Sequence, residues 1–149
     1  MKKTGFTVDY LDDIINELMS KCNHKTLVKW ATDCAEHVLI YFEEKYPYDN
    51  GPRDAIEAGR AWIRGELKMT EARKYAFASH ASAREVTDPS AKAVARACGH
   101  ASATTHVLTH APHCATYAAK AVGYANENIT KEREWQYNRL TELYETQNS

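Results

Sequence analysis

Apolar residues recur at three- and four-residue spacing along most of the chain, and the interruptions fall at prolines, glycines and capping residues. Leu11, Ile14, Ile15, Leu18 and Cys22 make the first helical stripe, with Thr7 or Asp9 as its cap. Leu27, Trp30, Ala31, Cys34, Val38, Tyr41 and Phe42 form a longer second stripe, closed by Pro47. The turn Asp49-Asn50-Gly51-Pro52 delivers Pro52 to the start of a third helix carrying Ala55, Ile56, Gly59, Trp62 and Ile63, which Gly65 stops. Thr70 is expected to cap a fourth helix, with Arg73 where a capping box would place Glu. Asp88-Pro89 opens a fifth. Pro112 disfavours helical geometry at Ala111, so the fifth helix should end or kink near Leu108 to His110. A sixth then runs from about Pro112 to Asn126, weakened at its far end by Gly123. Thr130 caps the last helix, which bears Trp135, Arg139, Leu140, Leu143 and Tyr144. No run alternates as a strand would, and the pattern predicts an all-α fold of about seven helices.

Charge placement adds an inside and an outside. There is no Asp or Glu between Pro89 and Asn126, and the fifth and sixth helices carry only Lys92, Arg96 and Lys120. Helices with so few charges are usually surrounded by others. The expectation is an alanine-rich central hairpin, with the fourth to sixth helices packed through Ala76, Ser79, Ala83, Val94, Cys98, Ala101 and Ala119. The same small-residue seam would suit a homodimer as well as a core.

The chain has 149 residues, which fits a single domain spanning 1–149. Its apolar content of 44% and formal net charge of -1 are those of a soluble globular protein with no field for nucleic acid or anionic membrane. The basic start meets Asp9, Asp12 and Asp13 before any hydrophobic run develops, and no run approaches membrane-spanning length. A cytoplasmic location is expected. Cys22, Cys34, Cys98 and Cys114 form no Cys-x-x-Cys pair and read as reduced, buried thiols.

Several segments carry a further signal. Asp33-Cys34-Ala35-Glu36-His37-Val38-Leu39, Phe42-Glu43-Glu44-Lys45-Tyr46-Pro47 and Pro52-Arg53-Asp54-Ala55-Ile56-Glu57-Ala58-Gly59-Arg60-Ala61-Trp62 follow one another, then Gly65-Glu66. Glu71-Ala72-Arg73-Lys74, Ala78-Ser79-His80-Ala81-Ser82-Ala83-Arg84 and Ala97-Cys98-Gly99-His100-Ala101 continue the series. Thr105-His106-Val107, Thr109-His110-Ala111 and Glu134-Trp135-Gln136 complete it. Together they resemble the immunity-five-like helical domains of bacterial polymorphic toxin systems, as one collinear pattern over roughly residues 27–140. The resemblance implies a cytoplasmic helical protein that neutralises a co-produced toxin by binding it, with no catalytic residues to carry over. The chain departs from that pattern where Leu108 precedes Thr109-His110 and Pro112-His113 follows.

Five of the seven histidines lie between His80 and His113. On one helix, His106 and His110 would share a face, as two metal ligands do, and His80 and His100 could join from neighbouring helices. A divalent metal on His80, His100, His106 and His110 would have no carboxylate beside it, and no His-Glu-x-x-His motif supports it. The plainer alternative is imidazoles hydrogen-bonded to backbone or hydroxyl groups where the helix breaks. A nucleophile at Cys98 or Cys114 has no histidine on its own helix face. Arg53, Arg60, Arg73 and Arg84 are expected to pair with Glu57, Glu66, Glu71 and Glu85, between the third and fourth helices, rather than to bind an anion. Trp30, Trp62 and Trp135 read as core anchors.

Two functional readings follow. The first is a non-enzymatic immunity protein whose toxin meets the acids of the first two helices: Asp9, Asp12, Asp13, Glu36, Glu43 and Glu44. The second is a metal- or small-molecule-binding helical protein, an enzyme among its forms, built on the histidines.

Overall fold

The computed structural model describes residues 8–148, so Thr7 as a cap lies outside the described residues. They form eight helices and no strand: α1 (Val8–Met19), α2 (His24–Val38), α3 (Ile40–Glu43), α4 (Gly51–Ile63), α5 (Met69–Glu85), α6 (Pro89–Ala103), α7 (His110–Tyr124) and α8 (Ile129–Thr146). The all-α expectation holds, and the eighth helix arises because the second stripe is split. At Leu39 the backbone N–H bonds to the Glu36 carbonyl, three residues back, at 3.2 Å. This tighter turn ends α2, and Leu39 and Phe42 remain buried while Ile40 faces outward.

Helix ends follow local chemistry, with some corrections to the expected caps. Asp88 caps α6 by accepting from the Ala91 N–H at 2.8 Å, with Pro89 in the first turn as expected. Gly65 ends α4 at a φ of 76°, where the Glu66 N–H reaches the Ala61 carbonyl at 2.9 Å and the Gly65 N–H reaches Trp62 at 3.0 Å. The α7 terminus uses the same motif with Asn126 at a φ of 64°; Glu127 bonds to Val122 and Asn126 to Gly123. α5 begins at Met69, ahead of Thr70, and its box partner is Glu71, whose Oε1 accepts from the Lys68 N–H at 3.3 Å. α8 is capped by Asn128, which accepts from the Lys131 N–H at 3.0 Å, and not by Thr130.

The largest correction is at the end of α6. It stops at Ala103, before the point that Pro112 predicted, and α7 starts at His110. The Thr104 hydroxyl donates to the His100 carbonyl at 2.8 Å and the Thr105 hydroxyl to Ser102 at 2.8 Å. These hydroxyls share the last carbonyls of the helix with the Thr104 and Thr105 N–H groups, which bond to the same His100 and Ser102 oxygens at 3.0 and 3.2 Å. Pro112 then sits in the first turn of α7, where a missing N–H costs nothing.

α6 is the axis of the packing: ten of its fifteen residues are buried, and α2, α3, α4, α5 and α7 lie against it. The expected alanine-rich hairpin is therefore α6 with α7. α5 is less central than expected, since Tyr75 and Phe77 are exposed on it, and α2 takes the inner place instead. Small side chains bring helices close enough for hydroxyls to bridge them. Ser79 of α5 donates to the Ala95 carbonyl at 2.7 Å, Ser102 of α6 to Ala72 at 2.6 Å, and Ser90 of α6 to Ala121 at 2.8 Å. A polar relay ties α8 to α2 and α7: Trp30 Nε1 donates to the Gln136 carbonyl at 2.8 Å, and Gln136 Nε2 to Ala115 at 3.0 Å. Among the described residues no buried side-chain nitrogen or oxygen lacks a partner, and no helix is long and apolar enough to cross a membrane.

Candidate functional site: a histidine cluster on a carboxylate-free hairpin

Four imidazoles meet where α5, α6 and α7 adjoin. His100 of α6 is the hub, with ring centroids of His80, His110 and His113 at 5.1, 5.1 and 5.5 Å from its own. Tyr117 stacks on His100 with centroids 5.4 Å apart and planes within 11°. The positions explain the meeting: His110, His113 and Tyr117 are spaced i, i+3, i+7 along α7, and Arg96 and His100 are i, i+4 along α6. Gly99 makes room, because a β-carbon there would lie 2.6 Å from His80 Nε2.

Hydrogen bonds fix much of the protonation pattern. An Arg96 Nη1–H donates to His80 Nδ1 at 2.9 Å, so that nitrogen carries the lone pair. His100 Nδ1 and His110 Nδ1 are 2.9 Å apart, so one donates and the other accepts. Burial lowers the His80 pKa to about 4, with help from Arg96, His110 and Arg84. Burial lowers His100 to about 3, with His80, His110, His113 and Arg96 adding to the shift. His110 is lowered for the same first reason, and then by His113 and His106. At neutral pH these three imidazoles are uncharged.

His106 is not in this group. It follows the end of α6, is exposed, and lies with Nδ1 3.0 Å from the Met69 sulfur. The four-residue spacing to His110 never becomes a helix face. His113, outside the set expected from the sequence, joins because α7 begins at His110. Among the described residues no group of three or more His, Cys, Asp or Glu side chains could hold a metal ion.

Three of the four thiols are sealed in the core, and Cys22 is half-buried. Cys34, Cys98 and Cys114 are buried, and burial pushes all three pKa values up. The Cys114 thiol donates to the Ala31 carbonyl at 3.1 Å.

The acids separate into paired and exposed sets. Glu36 accepts from both Arg53 and Arg60 at 2.9 Å, and Glu43 lies 3.3 Å from Arg53. Asp33 receives Arg60 at 3.1 Å and Arg139 at 2.8 Å. The arginines of α4 thus meet Glu57 of their own helix, at 3.3 Å from Arg60 and 3.8 Å from Arg53, as expected, but otherwise pair with α2 and α3 rather than across to α5, while Arg73 lies over the Phe77 ring. Asp12 accepts from Arg133 of α8 at 3.1 Å. Asp9, Asp13 and Glu44 are exposed. One buried carboxylate was missed from sequence: Glu132 accepts from His37 Nδ1 at 2.8 Å, and the His37 ring stacks on Trp135 at 3.6 Å. His37 and Trp135 both stand in the segments that carry the family resemblance, which was the available signal.

Fold and site define a small all-α protein with a filled core, no accessible thiol among Cys34, Cys98 and Cys114, and a histidine cluster whose members bond to each other. The chain belongs to the Imm-5 like putative immunity protein family, whose model matches residues 17–143. No curated protein and no solved structure matches it.

Proposed function

We propose that this chain is the immunity partner of a toxin and that it neutralises that toxin in the cytoplasm by binding it, without catalysis. The observation that carries this reading is the family match over residues 17–143. A binding role also suits thiols held neutral by burial and imidazoles engaged with one another. The docking element we assign is α1. Asp9, Asp13 and Glu17 are spaced i, i+4, i+8 and are all exposed, whereas Asp12 on the same helix is tied to Arg133. Most of α1 precedes the matched segment, which suits a feature that selects one toxin within a shared scaffold. Exposed carboxylates on one side of a helix favour a cationic toxin surface and speed association with it.

The test is protection of cells expressing the toxin encoded beside this gene. Wild-type protein should restore growth. The Asp9→Lys, Asp13→Lys, Glu17→Lys variant should keep its circular dichroism and protect poorly, with association slowed about tenfold or more at low salt. Full protection by that variant would remove α1 as the docking element. Absence of protection by the wild type would remove the toxin as the partner.

A further inference from the structure

Beside the histidine cluster, α6 and α7 enclose a groove of about 390 Å³. Its lining includes Lys92, Arg96 and Lys120 as cations and Pro89, Ala93 and Tyr124 as an apolar wall. No acid occurs between Pro89 and Asn126, and among the described residues none of the three cations takes part in an ion pair. This sets Arg96 apart from the half-buried Arg53, Arg60 and Arg139 and the buried Arg133, each held by a carboxylate. Arg96 is held instead by a neutral acceptor, His80 Nδ1, so its orientation is fixed while its charge stays uncompensated. A preset guanidinium in one groove with two lysines is an arrangement that takes a phosphate. Tyr124, 58% exposed beside Pro89 and Ala93, offers a planar surface to a ring.

We propose that this groove binds a phosphorylated ligand of mononucleotide size, its phosphate on Lys92, Arg96 and Lys120 and its base against Tyr124. The volume suits one such molecule and is too small for a folded partner. The site is distinct from α1 and does not depend on toxin binding.

The experiment is calorimetric titration of the full chain with adenosine monophosphate, ribose 5-phosphate and inorganic phosphate at low salt. Saturable binding of the nucleotide with Kd below about 1 mM is expected, weakening with salt. The Lys92→Gln, Lys120→Gln variant should bind about tenfold more weakly. Tyr124→Ala should bind adenosine monophosphate about as weakly as wild type binds ribose 5-phosphate. All three side chains are exposed, so their loss leaves the core intact. No saturable nucleotide signal, or a signal unchanged in the lysine variant, overturns the site. Inorganic phosphate binding as tightly as the nucleotide overturns the assignment of the base to Tyr124.

Discussion

The α-carbon of Gly99 faces the His80 imidazole so closely that a β-carbon would sit 2.6 Å from Nε2. Gly99→Ala must therefore displace the ring and is expected to weaken its bond from Arg96. Alanine gains about 0.5–1 kcal/mol of helix propensity, and overpacking costs about 1–3 kcal/mol, so a small net loss is expected. The sharper readout is proton NMR titration of His80. Its midpoint should rise from about 4 toward the ordinary imidazole value as the ring leaves its half-buried place.

The neutral imidazoles make the fold sensitive to mild acid. His80, His100 and His110 titrate lower in the folded chain than in the unfolded one, so below the ordinary imidazole range the unfolded chain binds more protons. Their contribution is complete above about pH 6.5 and drains away as pH falls toward the folded values of about 4 and about 3. Urea midpoints should decline from about pH 7 to about pH 5, above most carboxylate titration. A His80→Gln, His100→Gln variant should show a flatter profile. Equal slopes in both proteins would remove the cluster as the cause.

Glu132 is buried and relies on His37, which is stacked on Trp135. His37→Ala should cost about 1–3 kcal/mol by leaving that carboxylate without its partner. His37→Gln should recover part of the loss, because an amide can donate in the same direction. Thermal unfolding of the two variants checks the order.

α1 packs mainly on α8, and Arg133 links the two through Asp12 while also bonding Gln136 Oε1 at 2.7 Å. Arg133→Met should therefore loosen α1 selectively. Hydrogen exchange should quicken in residues 8–19 and stay slow in α6, the most buried helix.

Much of the fold was legible because the signals were local. Asp88-Pro89 and Gly65 act within one turn of where they stand. The end of α6 was not read because Thr104 and Thr105 compete for the final carbonyls, and their hydroxyls can serve equally well inside a helix. That misreading carried through to the site: His106 was grouped with His110, and His113 was left out of the set. The arginine pairs were only partly legible, for another reason. Arg53 and Arg60 do meet Glu57, a local partner on the same helix, but otherwise reach α2 and α3 rather than α5, because tertiary packing decides which neighbour a long side chain meets. Of the acids proposed for docking, Glu36 and Glu43 look the same in sequence as Asp9 and Asp13. Only their arginine partners distinguish them.

Direct binding is tested most simply by calorimetric titration of the purified chain into the toxin domain encoded beside it, with toxin activity assayed on the same samples. The expected result is a saturable complex, with toxin activity lost in proportion to complex formed. Activity undiminished at saturating protein, or activity lost with no complex detected, would contradict neutralisation by binding.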